Sequence, residues 1–200
     1  MALTRLQRAI CQLIAKNRIE AGESYVARGV ALGEALGSAR VSRDIDLFHD
    51  TNEALDATWA ADRLLIEREG YDIEVVRELR GFVQAIIRGL GDSVKMEWVR
   101  DSAYRFFPLQ LDATLGVTLH PFDLATNKVL ALVGRLEVRD WVDAIESHDR
   151  VQPFGYLVWA ACGKDPGFSP SSILEFASRS HYSADEVSQL AFDGPPPSAR

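Results

Sequence analysis

Two aspartates one residue apart, Asp44 and Asp46, interrupt a strand-like run from Val41 to Phe48. Side chains two positions apart on a strand point to the same face. The two carboxylates would therefore repel each other and raise a pKa unless a cation stands between them. Magnesium suits such a pair, because it takes one or two protein carboxylates and completes its shell with phosphate oxygens and water. A solvated face on an edge strand would look the same, and the pair alone leaves both readings open. Glu97, between the apolar Met96 and Trp98 in the run Ser93 to Val99, offers a third carboxylate if the two strands are neighbours. Three carboxylates could hold two ions, one at the attacking oxygen and one at the leaving group. Lys95 shares Glu97's face, so a plain ion pair is the alternative.

Other residues point to a phosphate ligand. Gly29, in the turn Arg28-Gly29-Val30, precedes a short helical stretch. Backbone amides at a helix start can hold a phosphate, although an ordinary turn glycine fits too. Ser42 falls on Asp44's strand face, where its hydroxyl could meet a phosphate oxygen or only solvent. Lys128 lies one turn after Asp123 and Leu124 on an amphipathic helix, as a phosphate ligand or as a solvated lysine. Asp140 and Asp143 are one turn apart and share a helix face. Arg139 reads as a structural partner for an acid.

Elements must position these groups. Leu3, Leu6, Ile10, Leu13 and Ile14 follow helical spacing, which predicts a first helix ending near Gly22. A short extended run, Ser24 to Ala27, then leads to a helix from Val30 to Leu36. The next helix spans roughly Asn52 to Glu69. Strands are expected over Tyr71 to Leu79, Phe82 to Ile87 and Ser93 to Val99, with turns at Gly81 and Gly89–Gly91. From Pro121 the pattern is helical: Asp123 to Val133, Val138 to Ser147, Phe154 to Cys162, Ser171 to Ala177 and Ser183 to Leu190. Ser183 and Glu186 form a capping-box pattern, and the Pro195-Pro196-Pro197 tail is expected to fray. The expected fold class is α+β, a mixed sheet with flanking helices in residues 1–118, then a C-terminal helical lobe in 119–192 and a tail in 193–200.

Composition bounds the function. A chain of 200 residues with 47% hydrophobic and 26% charged residues is ordinary for a soluble domain. It holds no apolar run of about 18 residues, so no membrane span is expected. Cys11 and Cys162 suit neither a disulfide framework nor a zinc site, and read as thiols in a reducing cytoplasm. The net charge of -7 is uneven: residues 1–43 carry +4 and the remainder -11. A local basic face could meet a polyanion, but long duplex DNA is not an expected partner.

In these motifs the chain resembles the AbiEii/AbiGii-type nucleotidyltransferase toxins, of the DNA polymerase β-like superfamily. The matching pieces are Gly29, Arg40-Val41-Ser42-Arg43-Asp44-Ile45-Asp46-Leu47-Phe48, Lys95-Met96-Glu97, and Asp123-Leu124-Ala125-Thr126-Asn127-Lys128-Val129-Leu130-Ala131 with Arg139-Asp140-Trp141-Val142-Asp143. The resemblance spans roughly residues 22 to 180. The resemblance implies Mg²⁺ on Asp44 and Asp46, with Glu97 as a third carboxylate, and an NTP substrate. It implies that Gly29 and Ser42 contact the nucleotide phosphates and that Lys128 neutralises the triphosphate. Asp140 or Asp143 would place the acceptor or accept its proton. It further implies a tRNA 3′ end as acceptor, with a protein or small molecule second, and a cognate antitoxin as partner. The family usually has Gly-Gly followed by Ser or Thr where this chain has Arg28-Gly29-Val30. Either Arg28 binds phosphate in compensation, or nucleotide binding is weakened. Asp44, Asp46 and Lys128 are expected to line one cleft between the two lobes.

Overall fold

The computed structural model describes residues 3–101, 104–179 and 182–194. Leu6, Ile10 and Ile14 form a buried stripe on α1 (Arg5–Ala21). A Thr4–Gln7 capping box starts that helix, and Gly22 in the left-handed conformation ends it. The strand β1 (Ser24–Ala27) runs directly into α2 (Arg28–Leu36). Then come β2 (Asp44–His49), α3 (Asn52–Arg68) and the meander β3 (Asp72–Leu79), β4 (Phe82–Gly89), β5 (Asp92–Arg100). Two short strands follow, β6 (Gln110–Asp112) and β7 (Gly116–Thr118). The remainder is helical: α4 (Pro121–Arg135), α5 (Val138–Arg150), α6 (Phe154–Lys164), α7 (Pro170–Arg179) and α8 (Ala184–Ser188).

The seven strands make one mixed sheet in the order β3-β4-β5-β2-β1-β7-β6. The pairs β2–β5 and β1–β7 are parallel, and the others antiparallel. This is the expected α+β architecture, a mixed sheet flanked by helices. Alternation along β2 and β5 sorts their side chains to two faces. Ile45, Leu47, Met96 and Trp98 are fully buried on one. There Trp98 sits 4.7 Å, centroid to centroid, from Trp59 of α3 and donates its indole N–H to Asp62 at 3.0 Å. Asp44, Asp46, Lys95 and Glu97 take the opposite face. The main core runs from Leu3 to Leu124, and a separate cluster around Val129, Leu157, Ala161 and Ile173 holds the later helices together.

Several element ends differ from the sequence expectation, and two short strands are added to it. The strand expected from Val41 begins at Asp44, because residues 39–41 pair with the C-terminal segment instead. Val41 donates its N–H to Ala191 at 2.9 Å, Asp193 donates to Ala39 at 2.7 Å, and Arg40 bridges Phe192. The helix expected from Val30 starts at Arg28, which enters it with φ of 59°. The strands β6 and β7 have three residues each, too short for alternation to reveal. The Ser183–Glu186 capping box forms as expected. The proline tail lies outside the described residues. Among the described residues no helix is long and apolar enough to cross a membrane.

Two fold-level tests follow from buried groups. A Cβ at Gly116 (φ +81°) would stand 2.7 Å from the backbone oxygen of Ala15, so Gly116→Ala should cost roughly 2 kcal/mol in urea unfolding. Burial pushes the Asp62 carboxyl up to about 6, while Arg18, Asn17 and Trp98 pull it down. The folded chain therefore keeps a proton that the unfolded chain releases near its ordinary 3.8, and stability is lost as pH rises through that window. Asp62→Asn removes this contribution, so wild type should lose ground to the variant between those two pH values. A constant difference across that range would refute it.

Candidate active site

The parallel register of β2 and β5 sets Asp46 directly beside Glu97, and Asp44 beside Lys95. The three carboxylates share one sheet face and line one cleft of about 140 Å³. Their charges are already answered by the chain. Arg28 Nη1 lies 2.7 Å from Asp46 Oδ1 and 3.6 Å from Glu97 Oε2. Lys95 Nζ bridges Asp44 at 3.4 Å and Glu97 at 3.3 Å, and Gln84 donates to Glu97 at 2.8 Å.

Environment splits these acids. Burial pushes Asp46 up to about 6; Arg28 opposes the rise, while Glu97 and Asp44 add to it. Glu97 is also raised by burial, but the Gln84 hydrogen bond and Lys95 outweigh that and leave it below the usual carboxylate range. Lys95 is pulled down by burial, yet Asp44 and Glu97 hold its ammonium above the ordinary value.

The opposite wall comes from α2 and α4. Lys128 and Arg135 are two turns apart on α4, and both reach the cleft. Gly29 lies at the start of α2, which has no side-chain cap, so its first amides stay available to an anion. A Cβ on Gly29 would stand 2.9 Å from Ser42 Oγ and 3.0 Å from Arg40 Nη2. Arg40 has no room to retreat, because Asp143 holds it through two bonds of 2.7 and 2.8 Å. Position 29 therefore requires glycine for close approach. Ser42 lies in the segment before β2, and its hydroxyl donates to the Asp44 carbonyl at 3.4 Å.

Asp44, Asp46, Glu97, Gly29, Ser42, Arg28 and Lys128 all reach this cleft, whereas Asp140 and Asp143 do not line it. Both are buried behind it. Lys128 Nζ lies 3.0 Å from Asp140 and 2.7 Å from Asp143. Arg135 binds Asp140 through two bonds of 2.6 and 2.9 Å. Burial pushes Asp140 up, but Arg135 and Lys128 more than offset it and hold the carboxyl below its ordinary range. In this position the two acids hold Arg40, Lys128 and Arg135.

Sequence reasoning assigned no role to Arg40 or Arg135. The signal for Arg135 was its spacing of seven from Lys128, two turns along one helix face. Nothing local marked Arg40, whose partner lies 103 residues away. The cleft wall carries six cationic side chains (Arg28, Arg40, Lys95, Lys128, Arg135 and Arg139) and three carboxylates, and Asp140, Asp143 and Glu137 behind it pair with four of those cations. Larger clefts flank it. One of about 480 Å³ is lined by Tyr25, Phe48, Leu124 and Asn127, and one of about 560 Å³ by Ser42, Arg139, Tyr182 and Gln189.

The fold has solved counterparts. The crystal structure of JHP933 from Helicobacter pylori is similar over 88% of this chain and 90% of that one, with a TM-score of 0.54 at 14% identity. The crystal structure of a "putative nucleotidyltransferase" from H. pylori is similar over 85% and 89%, with a TM-score of 0.51 at 14% identity. No protein-family model matches the sequence, and no curated protein matches it significantly. The chain thus has a nucleotidyltransferase-like fold.

The buried charges generate a test. Lys128→Met leaves Asp140 and Asp143 with one arginine each and should destabilise the protein by about 3 kcal/mol. Urea unfolding with an unchanged midpoint would contradict the assignment of Lys128 to this cluster.

Proposed function

We propose that this protein is a Mg²⁺-dependent nucleotidyltransferase, which moves a nucleoside monophosphate from an NTP to an acceptor hydroxyl. One observation carries the reading: three carboxylates share a face of the β2–β5 pair, inside a cleft otherwise walled by cations. A triphosphate with its metal has that charge pattern in reverse.

The donor set fits magnesium, since the groups are hard carboxylate oxygens and the ion needs only one or two of them beside phosphate and water. Among the described residues no three His, Cys, Asp or Glu side chains already converge as a metal-holding group. Asp44 and Asp46 would hold the ion, with Glu97 beside Asp46. When bound, the metal would neutralise phosphate charge and favour the attacking oxygen. The chain's own residues do the rest. The free amides at Gly29, together with Ser42, Lys128 and Arg135, would bind and orient the phosphates. Asp140 and Asp143 hold Lys128 and Arg135 in place for that task. The flanking clefts offer room for the nucleoside on the Tyr25–Phe48 side and for the acceptor on the Tyr182 side.

The motif resemblance favours an AbiEii/AbiGii-type toxin with a cognate antitoxin and a tRNA 3′ end as acceptor, working in the cytoplasm, where Cys11 and Cys162 remain free thiols. Incubation with labelled NTPs, Mg²⁺ and total tRNA should label RNA. Asp46→Asn should lower the rate by roughly a hundredfold or more. RNA left unlabelled under all four nucleotides would remove RNA as acceptor.

The Arg28–Asp46 ion pair favours a second reading, a nucleotide-binding module without turnover. Nucleotide binding that ignores Mg²⁺ and survives Asp44→Asn would select it.

A further inference from the structure

Arg28 is where the site departs from its motif, and the geometry gives that departure a task. The residue holds a left-handed φ of 59°, a conformation that glycine adopts freely and arginine does not. From there its guanidinium lies 2.7 Å from Asp46 and 3.6 Å from Glu97, 5.0 Å above the centre of the Phe48 ring. The Arg28 side chain is still 46% exposed, whereas those of Asp46 and Glu97 are 9% and 14% exposed. A cation open to solvent thus caps one buried and one half-buried anion. It also stands between the carboxylate cleft and the larger cleft beside it, lining both.

We infer that Arg28 is an exchangeable counter-ion, which occupies the metal's place on Asp46 and Glu97 until a triphosphate draws it away. This rests on the nucleotidyltransferase reading. A magnesium ion binds a carboxylate oxygen at about 2.1 Å, and the guanidinium at 2.7 Å already holds Asp46 Oδ1. The two cations compete for one buried acid and repel each other. A divalent ion alone must therefore expel Arg28 into solvent. A phosphate alone attracts Arg28, which binds phosphate oxygens well, but leaves Asp46 buried without its partner. Arriving together, metal and triphosphate satisfy both: the ion takes the carboxylates and Arg28 takes the phosphate. Arg28 is the first residue of α2, so the uncapped amides that would hold the anion follow it directly in the chain. Metal and phosphate then favour each other reciprocally, and the site resists a free divalent ion.

The experiment uses the full chain and three variants. Arg28→Gly and Arg28→Asn both suit the left-handed backbone. Arg139→Gln removes from the same cleft a charge whose ion-pair partner is Glu137 and not Asp44, Asp46 or Glu97. Mn²⁺ affinity without nucleotide is measured by electron paramagnetic resonance, and binding of a non-hydrolysable NTP analogue in EDTA by calorimetry. Both Arg28 variants should bind Mn²⁺ about tenfold more tightly than wild type. They should also bind the metal-free analogue more weakly, by about fivefold. Arg139→Gln should change Mn²⁺ affinity much less. If the Arg28 variants match wild type or Arg139→Gln for Mn²⁺, or bind the analogue as wild type does, the inference is overturned and the nucleotidyltransferase reading stands. If no form binds Mn²⁺ or nucleotide, both fall.

Discussion

The contact on which the cleft depends is the junction of Arg40, Asp143, Lys128, Asp140 and Arg135, buried at all but Arg135. Arg40 belongs to the segment leading into β2, Lys128 and Arg135 to α4, and the two aspartates to α5. Two acids and three cations, all but Arg135 withdrawn from water, leave each other few alternative partners. Buried charges of this kind fix geometry more than they add stability. Arg40, held at both ends of its fork by Asp143, passes so close to α2 that position 29 has no space for a side chain. The position of α2's first turn beside the carboxylates follows from that packing.

The sheet supplies the other half. A shift of one residue in a strand moves every side chain to the opposite face. The parallel pairing of β2 with β5 therefore decides whether Asp46 meets Glu97 or the apolar layer under it. Trp98, locked on the far face between Trp59 and Asp62, fixes that register. Packing on one face thus holds the chemistry of the other in alignment. The cost appears on Asp46, which sits beside two other acids and is raised by burial.

The placement of charge, more than the net charge of -7, bears on the proposed phosphate ligand. The cations gathered at the cleft come from five regions of the chain, namely Arg28, Arg40, Lys95, the α4 pair and Arg139. A whole-chain charge averages over surfaces that a ligand never meets. Local potential inside a low-dielectric cleft is what a triphosphate would feel.

Much of this was legible in the residues. Asp44 and Asp46 two apart on a strand, Gly29 at a helix start, and the helical period of the C-terminal half all rest on local geometry, which sequence spacing encodes directly. The sequence by itself determined the longer helices and strands, the shared face of Asp44 and Asp46, and the types of group available for metal and phosphate. Tertiary structure alone decided that Glu97 stands beside Asp46, that Asp140 and Asp143 turn inward to hold cations, and that Arg28 closes on the acids. The reason is range. Strand order and buried ion pairs join residues up to 103 positions apart, and no local period records which distant charge will be left to pair with which.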